Sequence, residues 1–410
     1  MTAFDLTAIF IGLVALGGWL NARTLHLPHA VAMLLVGLAG AAGVFLLNAV
    51  RPDLGAGVIK LVASVDFAQA VLGYMLAFLL FAGAMQVDLA ELRRRRLAVL
   101  TLATLGVVAS TVVVGVGVWL IARALGVPLS LPWALVFGAL ISPTDPIAVL
   151  ATVKRGHLSK TLQVVLQGEA LFNDGVGIVV FTALLAFAAG SAADPAHALG
   201  QVFTEAVGGL VLGAGASLLV IRAMRAVDDF VVDVTLSVAL AMGVYAGAQA
   251  LHLSGPIAVV GAGLLIGERS AAGPAAEGYL RNFWTLVDEI LNALLFFLLG
   301  LQILVVPFEA RLIGLSLAAI GLVLAARFLV IIPWGAYLKR QHEQPGAGVV
   351  LAWGGLHGAL SLALALSIPP GPQRSTLLVV TYAVCAFSVA VQGLTFTPIA
   401  SWLRRRTERR

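Results

Sequence analysis

Charged residues are scarce in this chain: of its 410 residues, only 11% are Asp, Glu, Lys or Arg. Soluble domains carry roughly 25% charged residues, so the deficit excludes an ordinary soluble enzyme. The single cysteine, Cys385, excludes an internal disulfide and a cysteine-based metal cluster. Because 60% of the residues are hydrophobic, we expect a polytopic membrane protein.

Motifs of common enzyme classes are also missing. The sequence contains no GxxxxGK[ST] phosphate-binding loop, no glycine-rich dinucleotide fingerprint and no HExxH zinc motif. No loop between hydrophobic segments exceeds about 15 residues, and no substantial segment follows the last one. We therefore expect a transporter rather than an enzyme, with no soluble regulatory domain, no cofactor and no nucleic-acid partner.

Thirteen hydrophobic segments are present that could cross a bilayer, for which about 20 helical residues suffice. Of the 25 Lys and Arg residues, 19 lie in alternate loops, five lie in the opposite loops and Arg327 falls within a span. The positive-inside rule then predicts an outside N-terminus and an inside C-terminus in a bacterial cytoplasmic membrane, with basic runs that contact anionic lipids. The predicted spans are 4–22, 28–49, 65–87, 97–122, 131–152, 161–189, 202–221, 231–250, 254–267, 282–304, 312–338, 349–369 and 376–400.

Four ionisable side chains lie near span centres, where a charge is costly and marks a candidate functional site. They are Asp145, Glu169, Asp174 and Arg327, and together they carry two surplus negative charges if all are ionised. Structural pairing alone would favour a balance near zero. The surplus therefore favours a site for a cation or a proton.

The fifth span contains the segment SPTDP, in which Pro143 and Pro146 flank Thr144 and Asp145. Proline removes a backbone donor and disfavours helical geometry in the residue before it, so we predict a helix break at mid-membrane. Such a break is tolerated where it is buried or lines a wet cavity. The freed carbonyls, the Thr144 hydroxyl and the Asp145 carboxylate would suit a small alkali cation. A proline kink capped by Asp145 is the structural alternative.

The sixth span contains GEALFNDG at residues 168–175. At about 100° per residue, Asn173 lies ~40° from Glu169, whereas Asp174 lies ~140° from it. We predict that Glu169 pairs with Arg327, because Asn173 shares its face and can donate alongside, while Asp174 faces a cavity. A purely structural polar network is the alternative for both acids.

The twelfth span contains Gly354, Gly355 and Gly358 around His357, which weakens the helix at mid-membrane. If the seventh span is a linker, spans 1–6 and 8–13 form two inverted six-helix repeats in which spans 5 and 12 correspond. Interrupted segments at matching positions of inverted repeats predict a transporter binding site. Close helix packing through glycine is the rival explanation.

Two acids, Asp288 and Glu289, lie about two turns into the tenth span, with Asn292 on the same face. We interpret them as charges of a cytoplasmic funnel or of a helix end rather than as ion ligands.

The motifs SPTDP, GEALFNDG and GGLHGALSLALALSIP together resemble those of the monovalent cation:proton antiporters of the NhaP and animal NHE branch. The resemblance covers essentially the whole chain and implies electroneutral exchange of Na⁺, or also Li⁺, for H⁺. Asp174 would be the ion and proton carrier, and Glu169 would pair with Arg327. The cation site that the resemblance implies consists of Asp145, Thr144, Asn173 and Asp174.

The resemblance also implies an architecture: a homodimer in which a core moves like an elevator. The core would be 97–189 and 312–400 with crossed broken helices, the dimerisation side 4–96 and 231–304, and the linker helix 202–221. A K⁺/H⁺ antiporter of the same fold is the alternative within transport. A cation channel is the alternative from another class, although the sequence shows neither a carbonyl filter nor a ring of acids.

Two positions depart from the family pattern. Ala170 stands where many relatives have Ser, so one cation ligand is missing. His357 stands where many relatives have Arg in GGLRGA. An imidazole with an ordinary pKa of about 6.5 could make the field of the site depend on pH, or it could be a neutral hydrogen-bonding substitute.

Overall fold

The computed structural model describes residues 3–145, 159–190, 195–227, 229–269, 273–307, 309–340 and 346–408, and these residues are predominantly helical. The second half of the predicted fifth span, including Pro146, lies outside the described residues. The helices of the first half are α1 (Ala3–Leu20), α2 (His29–Val50), α3 (Pro52–Ala63), α4 (Phe67–Gln69), α5 (Leu76–Met85), α6 (Leu89–Arg94), α7 (Arg96–Thr101), α8 (Val107–Ala124), α9 (Leu131–Ile141) and α10 (Lys160–Ala188).

The second half of the chain continues the pattern of long apolar helices joined by short loops. Its helices are α11 (Pro195–Met224), α12 (Phe230–Ala250), α13 (Gly255–Arg269), α14 (Gly273–Leu301), α15 (Ile313–Arg340), α16 (Ala347–Gly354), α17 (Ala359–Ser367), α18 (Arg374–Phe387) and α19 (Gly393–Glu408). Wide π-turns at Ala70–Met75, Leu102–Gly106 and Ser388–Gln392 join the helices on either side of them, whereas the π-turn Asn21–Leu25 ends the helix that α1 begins.

Ten of the helical segments in the described residues are long and apolar enough to cross a membrane. They coincide with ten of the predicted spans, which confirms an all-helical membrane protein. The remaining three predicted spans correspond to two shorter apolar helices, Leu131–Ile141 and Gly255–Glu268, and to the interrupted pair α16 and α17. Within the described residues, neither of the two spans with predicted breaks forms one uninterrupted helix.

Large apolar side chains cover much of the outer surface. Leu46, Leu219 and Ile332 expose 71%, 72% and 64% of their area, respectively. Such exposure is unfavourable in water but favourable in hydrocarbon. The surface therefore fits a lipid environment.

Helix α10 positions the site because it contacts several other elements. It packs against α9, against the π-turn Leu102–Gly106, against α13 and against the interrupted pair α16 and α17. Helix α14 packs against α2 and α5 and also reaches α17. Helix α17 of the second interrupted segment is therefore packed against both α10 and α14.

Candidate functional site

The fifth-span segment breaks where the prolines predict. Helix α9 ends at Ile141, and residues 142–145 are not helical. Ser142 closes the helix by donating from its hydroxyl to Gly138 O at 2.6 Å. Thr144 is buried, whereas Asp145 is partly accessible. The break therefore presents a threonine hydroxyl and a carboxylate, as predicted from the sequence.

The twelfth-span segment breaks at its glycines. Helix α16 ends at Gly354 and α17 begins at Ala359, so residues 355–358 are not helical. A Cβ atom at position 358 would lie 2.5 Å from Asp145 Oδ2, so a larger residue there would displace the Asp145 carboxylate. The glycines thus interrupt the helix and also permit close packing, so the two explanations considered for the sequence both apply.

The two breaks contact each other through their main chains. Asp145 N donates to Leu356 O at 2.7 Å in an isolated antiparallel β-bridge. Next to this bridge, the N-terminus of α17 begins beside the Asp145 carboxylate. The partial positive charge of that helix end stabilises a nearby anion.

Asp174 lies on α10 beside this junction. A cavity of about 100 Å³ has room for several water molecules and contacts both Asp174 and Asp145. The described residues that line it contribute three carboxylates and no basic side chain. The lining residues are Val71, Leu76, Leu79, Leu80, Gly83, Pro143, Thr144, Asp145, Ala170, Leu171, Asp174, Asp288, Asn292, Leu295, Gly358, Leu360 and Ser361.

Glu169 lies on the other side of α10, and only 1% of its area is exposed. Arg327 on α15 donates from Nη1 to Glu169 Oε1 and from Nη2 to Glu169 Oε2, the latter at 2.9 Å. This bidentate geometry is the strong form of an arginine–carboxylate pair. Arg327 Nη2 also lies 3.4 Å from Leu351 O, so the pair joins α10 and α15 to α16. The structure brings together the two residues that the sequence predicts to pair.

Asn173 takes a partner other than the one expected. Its Nδ2 donates to Thr144 Oγ1 at 2.9 Å, so it supports the fifth-span break rather than the ion pair. Only 1% of Asn173 is exposed, and its Oδ1 has no hydrogen-bond partner among the described residues. An oxygen is therefore left available next to Thr144.

His357 belongs to the second break and is buried against the first. Its Nδ1 lies 3.2 Å from Pro143 O and must donate to that carbonyl, while its main-chain N donates to Ser388 Oγ at 2.9 Å. The ring also lines a small cavity of about 10 Å³, the size of one water molecule, together with Glu169 and Arg327. The contacts of His357 are those of a residue that holds the two interrupted segments together.

Several residues at the site were missed by sequence reasoning. Ser361 lines the main cavity from α17, and the π-turn residues Ser388 and Gln392 hold the second break. Ser388 Oγ donates to Gln392 Oε1 at 2.6 Å, and Gln392 Nε2 donates to Trp353 O at 3.3 Å. The sequence offers one signal for Ser361, which is a small polar residue three positions after Gly358. Nothing in the sequence marks the π-turn Ser388–Gln392.

Comparison with known proteins identifies the family. The family described as "Sodium/hydrogen exchanger, transmembrane" matches residues 11–402. The Na⁺/H⁺ antiporter NhaP of Pseudomonas aeruginosa is 39% identical over 405 residues, covering 96% of each chain. The Na⁺/H⁺ antiporter NhaH of Halobacillus aidingensis is 31% identical over 402 residues, covering 96% of this chain and 95% of that protein.

A solved structure shares the fold. The sodium proton antiporter MjNhaP1 from Methanocaldococcus jannaschii superposes with a TM-score of 0.75 at 20% sequence identity. The match covers 99% of this chain and 98% of that one. The chain therefore belongs to the transmembrane sodium/hydrogen exchanger family.

Proposed function

We propose that this protein is a secondary antiporter that exchanges Na⁺ for H⁺ across the bacterial cytoplasmic membrane. The observation that carries the proposal is the position of Asp174. This carboxylate lines a cavity without a basic side chain among its described residues, beside two contacting helix breaks. The relatives named as Na⁺/H⁺ antiporters support the same substrates.

Competition at Asp174 would couple the two ions. A carboxylate at this position binds either a proton or a monovalent cation, and either one neutralises its charge. Thr144, Asp145 and Asn173 would supply further oxygen ligands to the cation. Because moving an uncompensated charge through the membrane is costly, the loaded site moves and the empty site does not. One cation per proton would make the exchange electroneutral.

The proposed division into core and dimerisation side is supported by the cavity. Asp145, Asp174 and Gly358 fall in the core ranges 97–189 and 312–400, whereas Leu76 and Asp288 fall in 4–96 and 231–304. The cavity thus lies where the two sets of helices meet. An elevator movement of the core along this boundary would expose Asp174 to alternate sides.

We also propose the topology that the loop charges predict. Thirteen spans in two inverted repeats, joined by the linker helix 202–221, would place the N-terminus outside and the C-terminus inside. We also propose a homodimer formed by the helices outside the core. The distribution of Lys and Arg supports this orientation.

A preference for K⁺ is the alternative within transport, and one observation favours it. Ala170 lines the cavity but contributes no oxygen. A site with fewer protein ligands repays less of the free energy of dehydrating the ion, and that cost is smaller for K⁺ than for Na⁺ or Li⁺. Competition among the three cations in one assay separates these possibilities.

The function is tested with purified protein in liposomes that carry an acid interior and a pH-sensitive dye. Addition of Na⁺ outside should discharge the pH gradient, and an imposed membrane potential should leave the Na⁺-driven rate unchanged. Protein-free liposomes are the control. Discharge by K⁺ alone would favour the alternative, whereas unitary currents in a planar bilayer would indicate a channel.

A further inference from the structure

Helix α14 contributes a polar pair to the lining of the main cavity. Asp288 and Asn292 lie on α14, one turn apart, and both line the same cavity as Asp174 and Asp145. Asp288 is partly buried, whereas its neighbour Glu289 is exposed. The two consecutive acids therefore have different surroundings, and only Asp288 contributes to the cavity.

Asn292 has an oxygen that the protein leaves unused. Only 6% of Asn292 is exposed, and its Nδ2 donates to Asp288 Oδ1 at 2.9 Å. That bond orients the amide, and its Oδ1 has no hydrogen-bond partner among the described residues. A buried carbonyl oxygen without a partner is costly, so the arrangement favours a ligand that such an oxygen can bind.

The chemistry of this ligand follows from the surrounding charges. The described lining of the cavity includes the carboxylates of Asp145, Asp174 and Asp288 and no basic side chain. An anion would be repelled, whereas a cation is attracted. One carboxylate and one amide oxygen are too few for a tightly held divalent ion, which needs six or more ligands. They suit a monovalent cation that keeps part of its water.

We propose that Asp288 and Asn292 form a second, weaker site for a partly hydrated monovalent cation, from which the ion passes to Asp174. This inference rests on the proposed function, because it assigns a step to the same transport path. Asp288 lies about two turns and Asn292 about three turns from Arg281 on α14, on the side of the basic loops. The second site would therefore serve ions that come from, or leave to, that side.

Transport measurements test the site through three variants in inside-out membrane vesicles. Asp288→Asn should raise the KM for Na⁺ about threefold to fivefold with little change in maximal rate, as expected for one partly screened charge interaction. Asn292→Leu, which keeps the branched shape but removes Oδ1 together with the Nδ2 donor to Asp288, should act in the same direction. Glu289→Gln removes a neighbouring charge outside the cavity and is the matched control.

Two transport results would overturn the proposal. An unchanged KM in Asp288→Asn would mean that the pair does not handle the ion. An equal rise in Glu289→Gln would mean that the effect is diffuse surface charge rather than a site.

A binding measurement separates this inference from the proposed function. The variant Asp174→Asn lacks the carrier carboxylate. Replacing choline by Na⁺ at constant ionic strength should still raise the melting temperature of this variant. Adding Asp288→Asn should remove that shift, because ligands stabilise only the folded state that binds them. A Na⁺-specific shift without any exchange by the unsubstituted protein would leave the site standing and contradict the function. Absence of the shift in Asp174→Asn would contradict the site.

Discussion

The two sides of α10 hold the same kind of side chain in opposite circumstances. On one side, Glu169 is buried and receives both hydrogen bonds of the Arg327 guanidinium. On the other side, Asp174 faces a cavity with two further carboxylates and no described basic side chain. A charge with a built-in partner fixes three helices in place. A charge that the protein leaves uncompensated is one that an ion from solution can neutralise.

The largest expected effect follows from removing the uncompensated charge. Asp174→Asn keeps the size of the side chain and should abolish cation-driven proton flux, because neither ion then has a carboxylate to bind. Dye-monitored exchange in liposomes measures the cation-driven proton flux. Glu289→Gln, which removes the same amount of charge, is the control. Retained exchange would contradict the role of Asp174. The melting temperature should fall little, since Asp174 is not part of the buried ion pair.

For Glu169, whose charge is compensated by Arg327, the main expected effect is a loss of stability. Glu169→Ala leaves Arg327 buried without its carboxylate, which typically costs about 3–5 kcal/mol of folding free energy. The yield of folded protein and its melting temperature in detergent should both decrease.

The double variant Glu169→Gln with Arg327→Met sharpens this prediction. It removes both charges, so it should recover most of the lost stability. A melting temperature of Glu169→Ala equal to that of the unsubstituted protein would show that the pair is not structural.

A smaller effect is expected at the bond that joins α10 to the first break. Asn173→Ala removes the donor to Thr144 and should cost about 1 kcal/mol, the usual value for one hydrogen bond. If this bond orients the cation ligands, the KM for Na⁺ rises by about fivefold. Thr144→Val should lower the melting temperature by a similar amount, because it removes the acceptor of the same bond, and the double variant should be no less stable than either single one. Additive losses would indicate that the two side chains act separately.

The smallest effect is expected at an ion pair outside the membrane. Asp88 caps α6 and lies 2.6 Å from Lys160 Nζ. The hydrogen bond from Lys160, followed by that from the Glu91 main chain, holds the pKa of Asp88 below its ordinary value. The pair therefore contributes stability above a pH of about 4, and the contribution is lost as the pH falls through the lowered pKa.

Because the pair is exposed, Lys160→Ala should change the melting temperature very little at neutral pH and not at all in acid. Its exchange rate should equal that of the unsubstituted protein. Melting curves recorded between pH 3 and pH 7 check this prediction. A loss as large as that of Glu169→Ala would remove the distinction between buried and exposed pairs.

Features that depend on composition could be predicted from the sequence. The long spans follow from hydrophobic runs, and the pairing of Glu169 with Arg327 follows from the scarcity of mid-membrane bases. Both breaks follow from proline or glycine, which act locally on the backbone.

Features that depend on tertiary contacts could not be predicted. Asn173 shares a face with Glu169 but bonds to Thr144, since the position of the fifth-span break decides which partner lies in reach. The Asp145–Leu356 bridge involves only main-chain atoms and leaves no trace in side-chain pattern. Asn292 reads as an ordinary helix residue until the cavity beside it is known.

The bridge between Asp145 N and Leu356 O has a consequence for how the protein is made. Its two halves are separated by half of the chain, so residue 356 is synthesised long after residue 145 has left the ribosome. Until then, the amide of Asp145 has to bond to water or to the insertion machinery, because an unsatisfied amide is not tolerated in hydrocarbon. The candidate site would therefore assemble late in biogenesis, and a chain truncated before α16 would insert its first helices without completing it.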